Sequence, residues 1–196
     1  MIGQLRSAPN LLTLLRLVFV PFTVIAVLQR RWLLALVIFV VAGITDGLDG
    51  LLARLLKQKT VLGQYLDPVA DKLLLSTMFL VLSILHKIPW KYTVLVFSRD
   101  ISILSASVVL YAIAGLRDFR PSIFGKVNTF AQVAAVFFVL LLQSDRSRWV
   151  WITRTTFLHA TLAFTIVSGL HYVFVVGQRL LAHSETPAKS AARQRA

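Results

Sequence analysis

The stretch Asp46-Gly47-Leu48-Asp49-Gly50-Leu51-Leu52-Ala53-Arg54, followed after eight residues by Gly63 and then by Asp67 and Asp71, holds four of the chain's eight acidic residues within 26 positions. On either side lie apolar runs, Leu33 to Ile44 and Leu73 to Leu85, of a kind that packs in lipid. An ionisable group in a membrane helix costs roughly 2.5–3.5 kcal/mol even on the lenient insertion scale, so four unpaired carboxylates would cost on the order of 10 kcal/mol. Cations offset that at short range, and an all-oxygen donor set suits Mg²⁺ or Mn²⁺ far better than Zn²⁺. The stretch therefore reads as a divalent metal site at a membrane's edge. Helix caps and solvated ends, the bland alternative, leave the clustering unexplained.

Of the 196 residues, 57% are hydrophobic and 15% charged, a balance that belongs to integral membrane proteins. The absence of Cys excludes disulfides, thiolate metal sites and cysteine nucleophiles, leaving carboxylate, hydroxyl, His and cation chemistry. The net charge is +13, but Lys and Arg lie between hydrophobic segments rather than on one polar face. That pattern argues against nucleic acid. Juxtamembrane bases are drawn to anionic lipid headgroups at roughly 1 kcal/mol each, so the expected partners are phosphate-bearing lipids.

A bilayer core needs about 17–25 helical residues. Segments of that order run from Pro9 to Leu28, Trp32 to Leu55, Leu66 to Leu85, Tyr92 to Leu116, Val127 to Leu142 and Trp151 to Leu180. The expected fold is an all-α integral membrane protein with six transmembrane helices, occupying residues 1–183. Residues 184–196 are expected to form a disordered basic tail. No internal repeat or cleavable signal pattern is visible. With six spans both termini share a side. If that side is the cytoplasm, it receives Arg6, Arg16, Arg54, Lys57, Lys59, Lys72, Arg117, Arg120, Lys126, Arg179, Lys189, Arg193 and Arg195. The opposite side receives Arg30, Arg31, Lys87, Lys91, Arg146, Arg148 and Arg154. This excess favours cytoplasmic termini, in a bacterial cytoplasmic membrane. Trp32, Trp90, Trp149 and Trp151 then form an outer interfacial belt, and the active site falls at the cytoplasmic ends of helices 2 and 3.

On a helix, offsets of three, four and seven share a face, which puts Asp46, Asp49, Gly50 and Ala53 on one side of the second span. Asp67 and Asp71 share a face of the third by the same rule. A short connection makes the two helices antiparallel neighbours, so the carboxylates can cage two ions roughly 3.5–4 Å apart. Gly50, Ala53 and Gly63 leave out side chains where a bulky headgroup approaches the backbone. Arg54 offers a planar multidentate donor to a phosphate or carboxylate. Pro68 fits a helix that begins near Asp67.

The spacing D-x-x-D-G-x-x-A-R, eight residues, G-x-x-x-D-x-x-x-D resembles the signature of the CDP-alcohol phosphatidyltransferase family, and every specified position matches. The resemblance extends through Asn10-Leu11-Leu12-Thr13-Leu14-Leu15-Arg16, Leu66-Asp67-Pro68-Val69-Ala70-Asp71-Lys72 and Gly125-Lys126-Val127-Asn128-Thr129. It implies transfer of a phosphatidyl group from CDP-diacylglycerol to an alcohol with release of CMP, dependent on Mg²⁺ or Mn²⁺. It further implies that Asp46, Asp49 and Asp67 bridge two metal ions. Asp71 would ligate one of them and act as general base. Asp46, Gly50, Ala53, Arg54 and Gly63 would shape the cytidine diphosphate pocket, and the protein would be a homodimer.

A phosphate-bearing acceptor needs cations, and the candidates are Lys72, Arg99, Arg117, Arg120 and Lys126. Arg99 with Asp100 reads either as a satisfied intramembrane ion pair or as an acceptor-phosphate contact. The family's glycerophosphate users typically show Arg-Glu at this place and a further Leu-Arg; Asp100 and the missing Arg resemble its eukaryotic-type cardiolipin synthases instead. The acceptor therefore stays divided between glycerol 3-phosphate and phosphatidylglycerol. Asn10, Thr13 and Arg16 share a face and read as capping and snorkelling residues or as the active-site mouth. His159 and His171 read as packing residues. Two rival functions are a membrane prenyltransferase, whose aspartate motifs ordinarily lie farther apart, and a small cation-coupled transporter, which would distribute polar residues through several spans.

Overall fold

The computed structural model describes the backbone of residues 8–55, 61–114 and 123–193. The side chains of 8–14, 16, 46–55, 61–71, 104, 106–114, 123–124, 171–173 and 175–193 lie outside the described residues. Among the described residues there are six helices and no strand: α1 (Ala8–Leu28), α2 (Trp32–Leu55), α3 (Val61–Ile84), α4 (Trp90–Ala114), α5 (Ile123–Ser144) and α6 (Arg148–Arg193). α5 and α6 pack together, as do α1 and α2, and α4 lies on α6. α1 and α5 each pack against both α2 and α3, so the two helices that carry the aspartate motif share their neighbours.

Among the described residues the core gathers where α1, α3 and α5 end and α2, α4 and α6 begin. Its members include Ala26 and Val27 at the end of α1, Leu36 and Phe39 early in α2, and Met78, Phe79 and Leu82 late in α3. Val96 comes from early α4, Val136 and Leu140 from late α5, and Leu158 from early α6. The same end gathers its loops: Lys87 lies 5.4 Å from the Trp32 ring, and Arg154 Nη2 donates to the Lys87 carbonyl at 2.6 Å. Trp90, Trp149 and Trp151, grouped with Trp32 in the expected belt, are exposed. Elsewhere Leu33, Ile44, Phe130, Leu170 and Phe174 are more than half exposed, which leaves the helices apolar on outward faces as well as inward ones. Gly125–Ser144 and Arg148–Leu170 are long and apolar enough to cross a membrane, and Leu17–Leu28, Trp32–Thr45 and Lys72–Ile84 are shorter apolar helical stretches among the described residues.

Two helix ends close without glycine. Arg30 and His86 have φ of 58° and 57°. Around Arg30 the Arg31 amide donates to the Ala26 carbonyl and the Arg30 amide to the Val27 carbonyl, both at 2.9 Å. Around His86 the Lys87 amide donates to Leu82 at 2.8 Å and the His86 amide to Ser83 at 3.0 Å. Each pair is a Schellman closure, which satisfies carbonyls that a helix end would otherwise orphan.

Two expectations change. α3 begins at Val61 rather than near Leu66, so Pro68 is an interior residue and not a start signal. Its missing N–H removes one hydrogen bond, and the backbone remains helical on both sides. Asn10 falls inside the first turn of α1 rather than at its N-cap. α6 runs from Arg148 to Arg193, a helix of about 70 Å.

Position 86 gives a direct test of the left-handed closure. Substituting His86→Val is expected to lower stability in detergent by about 1 kcal/mol, because a β-branched side chain fits that conformation poorly, whereas His86→Gly should cause no loss. Thermal melts of the two variants beside the parent check the ordering.

Candidate active site

Residues 46 and 49 stand three apart in the unbroken helix α2, and residues 67 and 71 four apart in α3. Each pair therefore shares a helical face. Their side chains, with those of Gly50, Ala53, Arg54, Gly63, Asn10, Thr13 and Arg16, lie outside the described residues, and Arg117 and Arg120 lie outside them entirely. Among the described side chains no group of three or more His, Asp or Glu comes together. As a donor set, four carboxylates on two helices that share α1 and α5 as neighbours fit a divalent cation of the Mg²⁺ or Mn²⁺ kind.

Directly after Asp71 the described side chains begin with a charged network. Lys72 Nζ lies 3.1 Å from Asp100 Oδ1. Arg99 Nη1 donates to the same oxygen at 2.7 Å, and Arg99 Nη2 donates to Ser168 Oγ at 3.1 Å. Three helices, α3, α4 and α6, are thereby joined beside the motif. Arg99 and Asp100 do form an ion pair, as one of their two sequence readings had it, but Asp100 also engages Lys72, which sequence reasoning had assigned to the acceptor. Arg99 Nε is buried and has no partner among the described residues. Lys126, near the start of α5, is exposed.

One turn along α6 from Ser168, Thr165 Oγ1 donates to Asn128 Oδ1 on α5 at 3.1 Å, and both residues are buried. Gln132 and Thr161 are buried one turn farther toward the loop end of the same two helices. Asn128 Nδ2, Gln132 Nε2 and Thr161 Oγ1 have no partner among the described residues. The spans are thus less uniformly apolar than the sequence suggested. The signal was present as two polar stripes at helical spacing, Asn128 with Gln132 and Thr161 with Thr165 and Ser168, though these residues are neutral and invite no attention singly. Tyr92 Oη and His159 Nδ1 are 3.5 Å apart, with the rings edge-on at 6.1 Å, which agrees with the packing role expected for His159.

The model of the CDP-alcohol phosphatidyltransferase family matches residues 6–183. The chain is 33% identical over 178 residues to a probable phosphatidylglycerophosphate synthase of Mycobacterium tuberculosis, covering 87% of this chain and 82% of the relative. It is 35% identical over 183 residues to a CDP-diacylglycerol–glycerol-3-phosphate 3-phosphatidyltransferase of Sodalis glossinidius, covering 90% and 98%. Similarity to the CMP-forming cardiolipin synthase of Rattus norvegicus is 34% over 149 residues, covering 66% of this chain and 48% of the relative.

The stripe on α5 and α6 separates a satisfied buried hydroxyl from an unsatisfied one. Thr165→Val is expected to cost about 1–3 kcal/mol, since it leaves Asn128 Oδ1 buried without its donor, whereas Thr161→Val should be neutral or stabilising. Unfolding of both variants in the same detergent checks the contrast.

Proposed function

The chain belongs to the CDP-alcohol phosphatidyltransferase family, and from that premise we infer which acceptor it uses and which residues carry the reaction. It is an enzyme that transfers a phosphatidyl group from CDP-diacylglycerol to an alcohol, releasing CMP, in glycerophospholipid synthesis. The acceptor we assign is glycerol 3-phosphate. The observation that carries this is the correspondence over 98% of the length of a relative named for that acceptor. Phosphatidylglycerol is the second reading, favoured by Asp100, which replaces the Glu of the glycerophosphate users' pattern as in the cardiolipin synthases.

In this reading Asp46, Asp49, Asp67 and Asp71 hold two divalent ions, Mg²⁺ or Mn²⁺. Bound there, the ions neutralise charge on the phosphoryl oxygens and on the leaving phosphate. Asp46, Gly50, Ala53, Arg54 and Gly63 bind the cytidine diphosphate, and Asn10, Thr13 and Arg16 line the mouth. The Asp71 carboxylate takes the proton of the acceptor hydroxyl as its oxygen bonds to the phosphorus that carries diacylglycerol. The bond from that phosphorus to the bridging oxygen breaks, and CMP leaves with that oxygen. Arg99 and Lys126, with Arg117 and Arg120, serve the acceptor phosphate. Arg99 keeps an unclaimed Nε–H donor for it, while Lys72 is engaged by Asp100.

The architecture that goes with this function is a six-span domain over residues 1–183 with the aspartates at the cytoplasmic face and both termini there, in a bacterial membrane, as a homodimer. The exposed tryptophans and the basic loops at the opposite end of the bundle support that orientation.

Purified protein with Mn²⁺ or Mg²⁺ is expected to release CMP from CDP-diacylglycerol only when an alcohol is added, with glycerol 3-phosphate the better acceptor beside phosphatidylglycerol. Chromatography of the lipid product reads the choice. No CMP with any acceptor in a panel would sink the assignment. Asp71→Asn should abolish turnover and retain binding of the CDP-lipid; full turnover would remove Asp71 as base.

A further inference from the structure

The end of the bundle where α1, α3 and α5 finish carries a charge imbalance that the transfer reaction does not use. Its three connections and the helix starts beyond them hold seven Lys and Arg residues against a single acid, Asp145. Asp145 accepts from the Ser147 amide at 2.9 Å. The ion pairs among the described residues both end on Asp100 instead, so no described carboxylate neutralises any of the seven. The tendency of bases to collect on the cytoplasmic side gives no reason for them here. All four tryptophans of the chain belong to this end, and Trp90, Trp149 and Trp151 are exposed. Indole rings gather at headgroup depth, which puts the unneutralised bases level with lipid phosphates.

Two of these bases are held in place, and they come from different elements. Arg154 Nη2, on α6, donates to the Lys87 carbonyl at 2.6 Å, which sets the guanidinium against the connection between α3 and α4. Lys87 Nζ lies 5.4 Å from the centre of the Trp32 ring at the start of α2, within cation–π range. Both residues are partly buried. Apart from that carbonyl, neither head group has a hydrogen-bond acceptor among the described residues. Arg31 directly precedes Trp32, and its amide is tied to the Ala26 carbonyl at 2.9 Å, so a third base starts from a fixed backbone beside the same ring. A base that only snorkels to the interface keeps its rotamer freedom. Arg154 and Lys87 have given it up, so ordering that a bound anion would otherwise impose is already in place.

We propose that Arg154 and Lys87, with Arg31 beside them, form a site for the phosphate of an anionic glycerophospholipid in the leaflet opposite the motif. A guanidinium matches two phosphate oxygens with its planar fork, and an ammonium adds a compact charge from a second element. A zwitterionic headgroup brings a cation of its own, which the surrounding bases repel, so the site selects a headgroup whose net charge is negative. Leu33, next to Trp32, and Ile84, three residues before Lys87, are more than half exposed and offer apolar surface to the acyl chains. The bound lipid thereby links α2, α6 and the connection between α3 and α4. None of this depends on how the aspartates are read.

The four tryptophans supply the readout, since all of them lie at this end. The full chain in detergent is titrated with dibrominated phosphatidylglycerol or dibrominated phosphatidylcholine, in EDTA so that no turnover occurs, and the quenching of tryptophan fluorescence is followed. Phosphatidylglycerol is expected to bind about 20-fold more tightly than phosphatidylcholine, with about fivefold of that preference lost for each base removed. Lys87→Gln should therefore reduce the preference about fivefold, the double variant Lys87→Gln with Arg154→Gln should bring it within about twofold of none, and Lys87→Arg should restore it. Raising the salt concentration should weaken the preference in the parent. Lys126→Gln, the same charge change on an exposed base at the other end, should leave it intact. Equal quenching by the two lipids in the parent overturns the proposal, as does an unchanged preference in Lys87→Gln. An equal loss in Lys126→Gln also overturns it, because net charge and not a site would then be responsible. Inorganic phosphate at matched ionic strength should not displace the lipid; displacement would assign the bases to the free anion and overturn the lipid site. If Arg154→Gln fails to fold, Lys87→Gln decides, since it leaves the bond from Arg154 to the backbone carbonyl in place.

Discussion

Asp100 accepts a hydrogen bond from Arg99 at 2.7 Å and pairs with Lys72 at 3.1 Å, and through this one carboxylate α3, α4 and α6 are tied together beside the acidic motif. A carboxylate that is mostly withdrawn from solvent, as Asp100 is at 17% exposure, is stabilised by neighbouring cations. Two cations on one carboxylate satisfy that need and leave one positive charge in excess. The excess lies next to the helix face where the sequence concentrates negative charge.

Met78, Phe79 and Leu82 pack with Val27, Phe39, Val136 and Leu140 near the helix starts that carry the tryptophans. There the helix ends close on themselves through Arg30 and His86, and Arg154 and Lys87 stitch loop to helix. Farther along the described helices, the Lys72–Asp100, Arg99–Ser168 and Thr165–Asn128 contacts join α3 to α4, α4 to α6 and α6 to α5.

The six helices were legible in the chain because long apolar segments announce themselves, and a carboxylate pair at three or four residues has one helical meaning. The start of α3 was misread since Pro68 looked like an opening residue, and a helix that tolerates one missing hydrogen bond gives no local sign of doing so. The ends at Arg30 and His86 carried no glycine to mark them. Lys72 and Asp100 lie 28 positions apart by their numbering, and their pairing depends on how α3 and α4 dock, which no periodicity encodes. Asp100 had an obvious partner next door in Arg99, and that hid its second one. The motif's own side chains lie outside the described residues, so its register is established by the helices and its ligation stays a proposal.

Charge balance explains why cations are placed around the motif in this number. With the two divalent ions proposed above, four carboxylates and the metal charge sum to about zero, so a nucleotide diphosphate entering the site brings negative charge that the cage itself does not offset. Arg54 is the one cation at the motif's specified positions. The surplus of the Lys72, Arg99 and Asp100 set supplies another, and it is held off the carboxylates because Asp100 already occupies both bases. In that reading Asp100 holds both bases in one ion-paired set and leaves the four aspartates to the metal ions.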